Sequence, residues 1–256
     1  MSRDTDFFEQ ITKIETESGG FKAPIPICYY DLSALIVTFM ADAGEVRRCL
    51  PSPRLKPYQV LPKRAVVAFS AFSYRDTDIG PYNEFALAVP VAMDVPRLAP
   101  AMAVFKGIAH PSAYIVHLPV TTEIAFRLGK DIYNFPKFVA EIDFEQGEKE
   151  LSVRLAEGGK FILSLTVPIL KGKMNFRQTV NVLSSRSDRI LRSETIVDAR
   201  EVAIGSFRGV RYDLGEEHFM ARDIKAMKLG KPMGVFYISK AQMILTNPLE
   251  SFKVQK

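Results

Sequence analysis

The chain contains no tryptophan, and cysteine and histidine are scarce, with two and three of 256 residues. Two cysteines, Cys28 and Cys49, cannot build a disulfide framework, and they form no CxxC pair. Two thiols in a chain of this length favour a reducing, cytoplasmic location. No metal is expected either, because HExxH and other paired ligand spacings are missing around the histidines, which are His110, His117 and His218.

A strong excess of one charge sign is also missing. The formal charge is +5, from 34 basic and 29 acidic residues, and the basic residues form no stripe interleaved with aromatics. We therefore expect no nucleic-acid partner. The longest uncharged run, residues 107–122, contains two histidines and two prolines, whereas a membrane helix needs about 18 or more apolar residues. No membrane partner is expected.

Loops and turns that bind common cofactors or carry a serine nucleophile are absent as well. The sequence contains neither a GxxxxGK[ST] loop nor a GxGxxG turn, which would hold nucleotide phosphates. It also lacks a GxSxG elbow. We expect no cofactor, so any catalytic activity must come from the side chains.

What the sequence does contain is a composition typical of a globular protein, with 47% hydrophobic and 25% charged residues. Without repeats or a low-complexity linker, residues 1–256 are predicted to form a single domain. Many short β-type runs, among them a hairpin around Gly158 and Gly159, favour a β-rich α+β fold. Its core would be a barrel-like or sandwich antiparallel sheet with a few flanking helices. Apolar residues at helical spacing also predict a helix over residues 4–17.

One segment, Phe135-Pro136-Lys137-Phe138, combines a lysine with a stiff, aromatic setting. Pro136 has a fixed φ and biases the preceding residue toward an extended conformation. A lysine in dry surroundings has a lowered pKa and can attack a ketone to form a Schiff base. The same pattern also fits a surface lysine whose stem covers core phenylalanines, and periodicity alone favours that simpler interpretation.

A second segment places a carboxylate at the start of an apolar strand. Tyr82-Asn83-Glu84 leads into the run that contains Val89-Pro90-Val91. Glu84 is either an exposed strand end or a polar group in a pocket, and its own neighbourhood favours neither interpretation.

Together the two segments resemble the acetoacetate decarboxylase family. That family has Tyr-x-Glu before an apolar strand that ends in Pro-Val, and later Gly-Arg-Glu before aromatic-Pro-Lys-Lys. The counterparts here are the Tyr82 segment, the three residues from Gly129 to Asp131, and the Lys137 segment. The resemblance is strongest around residues 82–91 and 121–140, and it extends over most of the chain.

The resemblance implies both a site and a reaction. Lys137 would be the Schiff-base lysine that acts on a small anionic oxo acid, and Glu84 would orient the substrate or assist proton transfer. We expect the substrate pocket to be lined by Tyr82, Phe69, Phe135 and Phe138. The default reaction is decarboxylation of a β-keto acid, which makes the protein a carboxy-lyase. The family also implies a homo-oligomer and no cofactor.

Three departures from the family pattern keep other functions open. Phe138 stands where the family has a second lysine, and Asp31 and Phe69 align with a family arginine and a further glutamate. One alternative is an aldolase-dehydratase of the same superfamily that joins pyruvate to an aldehyde through Lys137. Another is a small-ligand-binding member without catalytic activity.

Overall fold

The computed structural model describes residues 5–93 and 111–254, so His110 and Asp4, the first residue of the predicted N-terminal helix, lie outside the described residues. The chain begins with a 3-10 turn, Thr5–Phe7. The strands are β1 (Ile14–Ser18), β2 (Phe21–Ile25), β3 (Ile27–Asp42), β4 (Leu55–Pro57), β5 (Gln59–Leu61), β6 (Arg64–Thr77), β7 (Tyr82–Met93), β8 (Ser112–Val120), β9 (Lys137–Val139), β10 (Glu141–Gln146), β11 (Glu150–Glu157), β12 (Lys160–Pro168), β13 (Met174–Arg186), β14 (Arg189–Gly205), β15 (Arg211–Leu214), β16 (Pro232–Leu245) and β17 (Leu249–Lys253). The helices are α1 (Ala43–Arg48), α2 (Glu123–Asp131) and α3 (Phe219–Ala226).

Seven strands close into a barrel in the order β7-β6-β3-β16-β14-β13-β8, with β8 pairing back to β7. All of these pairs are antiparallel except β13 with β8. The short strand β9 extends the barrel by parallel pairing to β8. The β-rich α+β class is confirmed, and the core is a barrel rather than a sandwich.

A second, four-stranded sheet, β10-β11-β12-β15, packs against the outside of the barrel. Its β11–β12 hairpin turns at Gly158 and Gly159, both with positive φ, as the sequence predicts. Large apolar side chains from the barrel, this sheet and α3 fill the layer between them. A separate cluster lies inside the barrel and against α2. Where the outer layer covers it, the barrel wall is therefore buried on both of its faces, whereas the first half of β13 is exposed.

The predicted helix over residues 4–17 is wrong. The described part of that segment has one 3-10 turn, and then β1 pairs with β2 across Gly19 and Gly20, which have φ of 57° and 83°. The apolar spacing matched a helix, but pairing with a neighbouring strand outweighed local periodicity. No helix within the described residues is long and apolar enough to span a membrane.

Candidate active site

Lys137 is the first residue of β9, directly after the turn that follows α2. Phe135 N–H donates to the Gly129 carbonyl (3.0 Å), and the Pro136 carbonyl accepts from Leu118 N–H on β8 (3.1 Å). Asn134 supplies the left-handed residue of the turn, with φ of 50°. Hydrogen bonds to both α2 and β8 therefore fix the direction in which the lysine side chain leaves the backbone.

Inside the barrel, Lys137 and Glu84 form a buried ion pair. Lys137 Nζ donates to Glu84 Oε2 at 2.7 Å, and the two side chains are only 6% and 10% exposed. The Tyr74 hydroxyl donates to the other carboxylate oxygen, Oε1, at 3.1 Å. Charges buried in this way persist only when they are paired and hydrogen-bonded. The amine thus has a proton acceptor in direct contact.

Three tyrosines surround the pair. The hydroxyl groups of Tyr29 and Tyr82 lie 3.1 Å apart, and Lys137 Nζ lies 5.7 Å from the centre of the Tyr82 ring. Burial raises the pKa of Tyr29, Tyr74 and Tyr82 well above the ordinary phenol value, and the negative charge of Glu84 raises these pKa values further. All three phenols therefore stay neutral and can act as hydrogen-bond donors.

Gly129 makes room for the lysine stem. A Cβ atom at this helical position would lie 2.4 Å from Lys137 Cε and 2.5 Å from Cδ. The missing side chain of Gly129 therefore lets Lys137 run against α2 on its way to Glu84.

The pair stands in the wall of a cavity of about 290 Å³ inside the barrel. Of the described residues that line it, Lys137 is the single cation and Glu84 the single carboxylate. Most of the other lining side chains are aliphatic or aromatic. The described lining residues are Tyr29, Leu32, Ala34, Ile36, Ser70, Phe72, Tyr74, Glu84, Ala86, Ala88, Ala113, Ile115, Leu118, Phe135, Lys137, Phe176, Gln178, Val180, Val182, Thr195, Val197, Ile238, Met243 and Leu245.

The structure brings together four of the six residues that the sequence singles out. Lys137 and Glu84 are in contact, and Phe135 lines the cavity. Tyr82 presents its ring to the lysine amine, although it is not among the described lining residues. The prediction that Phe69 lines the pocket is not supported. Phe69 is fully buried on the opposite face of β6, in the layer outside the barrel.

Phe138 also faces away from the cavity. Successive residues of a strand point to opposite faces, so the Phe138 ring packs outside the barrel, 5.5 Å from the His218 ring and 5.2 Å from the Phe219 ring. Phe138 therefore cannot desolvate the Lys137 amine by direct contact. Asp31 lies outside the cavity too, where two nitrogens of the Arg75 guanidinium bind its carboxylate at 2.7 and 2.8 Å.

Sequence reasoning missed Tyr29 and Tyr74, and it placed Gly129 in the family motif without a role of its own. Gly129 did leave a signal, because a glycine inside a helical pattern often marks a close approach. Tyr74 became recognisable only from the register that pairs Phe72 with Glu84 and thereby puts Tyr74 on the inner face.

Two histidines outside the cavity lie within hydrogen-bond distance of carboxylates in the outer layer. His117 Nε2 lies 2.7 Å from Asp223 Oδ2, and His218 Nε2 lies 2.9 Å from Glu157 Oε2. Within residues 5–93 and 111–254, no group of three or more His, Cys, Asp or Glu side chains is arranged to hold a metal ion.

Solved structures share this fold. An acetoacetate decarboxylase is 17% identical over 90% of this chain and 91% of its own, with a TM-score of 0.71. Another, from Legionella pneumophila subsp. pneumophila str. Philadelphia 1, is 15% identical over 98% and 95%, with a TM-score of 0.70. The enduracididine biosynthesis enzyme MppR complexed with pyruvate is 13% identical over 94% and 91%, with a TM-score of 0.64. Identities this low establish likeness of fold alone.

No curated protein sequence is significantly similar to this chain. The model of the acetoacetate decarboxylase family does match it, over residues 14–190. The matched region is more than half of the chain and includes both partners of the Lys137–Glu84 ion pair. The sequence match and the shared barrel fold agree, and the chain belongs to the acetoacetate decarboxylase family.

Proposed function

We propose that this protein is a Schiff-base lyase that removes carbon dioxide from a β-keto acid, with Lys137 as the nucleophile. The observation that carries the proposal is the buried contact between Lys137 Nζ and Glu84 Oε2, 2.7 Å apart in the wall of a mostly apolar cavity. An amine becomes nucleophilic when a neighbouring base takes its proton. Glu84 is that base.

Covalent attachment is the first stage of the reaction. Glu84 accepts a proton from the Lys137 ammonium, and the free amine attacks the ketone carbon of the substrate. The resulting carbinolamine loses its hydroxyl group as water, for which Glu84 returns the proton. The product is an iminium ion that joins Lys137 to the former ketone carbon.

Carbon dioxide leaves in the second stage. The bond between the carboxylate carbon and the α-carbon breaks, and its electron pair moves toward the iminium nitrogen to give a neutral enamine. A proton from the solvent then adds to the α-carbon, and water hydrolyses the new iminium to release the ketone and restore the Lys137 ammonium. The negative charge of the substrate carboxylate cancels the positive charge of the iminium, so this step is favoured in an apolar cavity.

Reduction with borohydride tests the proposal, because it converts the imine into a stable amine. We expect acetoacetate plus borohydride to modify Lys137, as mapped by peptide mass spectrometry, and carbon dioxide to be released without borohydride. Lys137→Ala should abolish both signals. Lys130→Ala is the matched control, since this lysine lies seven residues away on the exposed face of α2, and it should change neither.

Two other outcomes would replace the proposal. The cavity is larger than acetoacetate requires, and this spare volume favours the second candidate, in which Lys137 condenses pyruvate with an aldehyde. Trapping of pyruvate, with aldehyde consumption and no carbon dioxide from any 3-oxo acid, would establish that aldolase reaction. If no oxo acid gives an adduct, the protein is a binding member of the family without catalytic activity.

A further inference from the structure

The walls of the cavity are apolar far beyond the reacting groups. Along the inner face of β7, Glu84 is followed by Ala86 and Ala88, which are 4% and 5% exposed. Ala34 and Ala113 line the cavity from β3 and β8. Four alanines in a barrel interior leave space that larger side chains would fill. This part of the cavity presents methyl groups and no charge.

The cavity is also long. Lys137 pairs with Leu118 on β8, and Val182 pairs with Ala113 on the same strand. All four residues line the cavity. Leu118 and Ala113 are five residues apart, which corresponds to at most about 16 Å along a strand, because β8 has an irregularity between Ile115 and His117. The cavity therefore runs from the amine down the inside of β8 toward β13.

Its volume fits a molecule larger than acetoacetate. An apolar protein cavity of about 150 Å³ holds benzene, which has about six heavy atoms. At the same filling, 290 Å³ has room for about twelve heavy atoms. Acetoacetate has about seven, whereas 3-oxooctanoate has about eleven.

The charges are distributed to match such a molecule. Lys137 and Glu84 stand together at one end, and the neutral polar side chains elsewhere in the described lining are Ser70, Gln178 and Thr195. A second carboxylate or phosphate on the substrate would find no cation among the lining residues that the structure describes. The far end presents Val180 and Val182 beside the neutral Gln178 and Thr195, so it offers contacts to an apolar group and no charge.

Resting on the proposed function, we infer that the substrate is a 3-oxo acid with an unbranched apolar chain of about six to eight carbons in total. Its ketone carbon sits at Lys137, and its tail lies along Ala86, Ala88 and Ile115 toward Val182. Binding should strengthen with chain length, because each buried methylene contributes about 0.8 kcal/mol, a factor of about four in affinity.

Binding and imine formation are measured separately, so that one hypothesis can fail without the other. The 3-hydroxy acids of four, six and eight carbons lack a ketone and cannot form an imine. We expect calorimetry to give a dissociation constant that falls on the order of a hundred-fold from four to eight carbons. Borohydride trapping with acetone, 2-pentanone and 2-heptanone, the ketones that decarboxylation would release, then reports on imine formation with the same tails.

Filling the cavity should remove this preference. Val180→Phe on β13 adds a ring at a half-buried lining position, and Ala88→Leu adds bulk nearer to Glu84. Each should weaken binding of the eight-carbon acid at least about ten-fold and leave the four-carbon acid within about two-fold. Thr179→Phe is the matched control, because Thr179 is the exposed neighbour of Val180 and is not a lining residue.

Equal affinity for the four- and eight-carbon hydroxy acids would overturn the inference, as would an identical preference in Val180→Phe and Thr179→Phe. Chain-length-dependent binding without any trapped adduct would overturn the proposed function and leave the apolar ligand site standing. If every ketone is trapped with equal efficiency and the dissociation constant does not change with chain length, the reactive lysine is supported. The apolar-tail inference is then wrong.

Discussion

The carboxylate of Glu84 has two partners, and each occupies a different oxygen. Lys137 binds Oε2, and the hydroxyl of Tyr74 binds Oε1. The ammonium supplies charge, whereas the phenol is a neutral donor because burial and the charge of Glu84 keep its pKa high. Tyr74 therefore holds the carboxylate in place, and in the proposed reaction it would do so while Glu84 exchanges a proton with the amine.

Removal of the Tyr74 hydroxyl should destabilise the protein. Tyr74→Phe leaves Glu84 Oε1 buried with one donor fewer, and we expect the free energy of unfolding to fall by about 1.5–3 kcal/mol, the range for hydrogen bonds to charged groups. Denaturant unfolding measures the difference. Tyr133→Phe is the matched control, because the buried Tyr133 hydroxyl has no hydrogen-bond partner among the described residues. Equal losses in the two variants would contradict this role of Tyr74.

At this scale the sequence predicted the meeting of Lys137 and Glu84 better than the pocket walls. Both residues were singled out by the resemblance to the family, because the local pattern around each of them left a purely structural role open. Phe69 and Phe138 were assigned to the wrong face, because both faces of the barrel wall are apolar. Alternation along such strands is one of side-chain size and not of polarity, so a hydrophobicity pattern cannot tell inside from outside.

Among the secondary-structure elements, α2 is the helix that lies against the side chain of Lys137. It packs against the barrel interior through Ala125 and Leu128, and one turn later the chain enters β9. Gly129 is where the helix backbone touches the lysine stem. The helix thus sets the path of a side chain that it does not itself carry.

Gly129→Ala should slow the reaction of Lys137 without a comparable loss of stability. Alanine favours a helix by about 1 kcal/mol over glycine, and its Cβ would collide with the flexible end of Lys137 and not with backbone. We expect the free energy of unfolding to stay within about 1 kcal/mol of the parent. The rate of borohydride trapping should fall on the order of a hundred-fold, as expected for a displaced nucleophile.

The matched control for this variant is Gly147→Ala, whose Cβ would have an ordinary contact at 3.7 Å with the Glu150 carbonyl oxygen. It should leave trapping unchanged. An unaltered trapping rate in Gly129→Ala would mean that the lysine reaches Glu84 without this space.

Elements with strong local signals were predicted well. The β11–β12 hairpin, predicted from Gly158 and Gly159, follows from nearby residues alone. The starts of two helices are equally local: Asp42 accepts from Gly44 N–H and Glu45 N–H before α1, and His218 accepts from Met220 N–H before α3. The β1–β2 hairpin was missed because its strands are short and their apolar spacing imitates a helix.

On the scale of the whole molecule, the barrel and the outer layer are joined by packing and by buried polar contacts. His117 on β8 and Asp223 on α3 form one such contact, and His218 with Glu157 forms another. Burial lowers the pKa of His117 below its ordinary 6.5, an effect that outweighs its attraction to Asp223. The folded protein therefore holds this imidazole neutral at a pH where the unfolded chain would protonate it.

Acid should weaken the fold through His117. Below about pH 6.5 the unfolded chain binds a proton that the folded state does not, so stability falls as the pH falls through that value. We expect His117→Gln to have a flatter dependence of melting temperature on pH between about 7.5 and 5.5 than the parent. Parallel curves for the two proteins would show that His117 does not carry this dependence.

The order of the cavity walls along the chain has a consequence for how new specificities can arise. The reacting pair and the residues described around it (Tyr29, Tyr74, Tyr82 and Gly129) all precede β10, whereas β13, β14 and β16 contribute walls and no charged lining residue. Substitutions in the later half can reshape the room for a tail while the nucleophile and its base stay intact. Inheritance of the chemistry and adaptation of the substrate range are thereby divided between two stretches of one polypeptide.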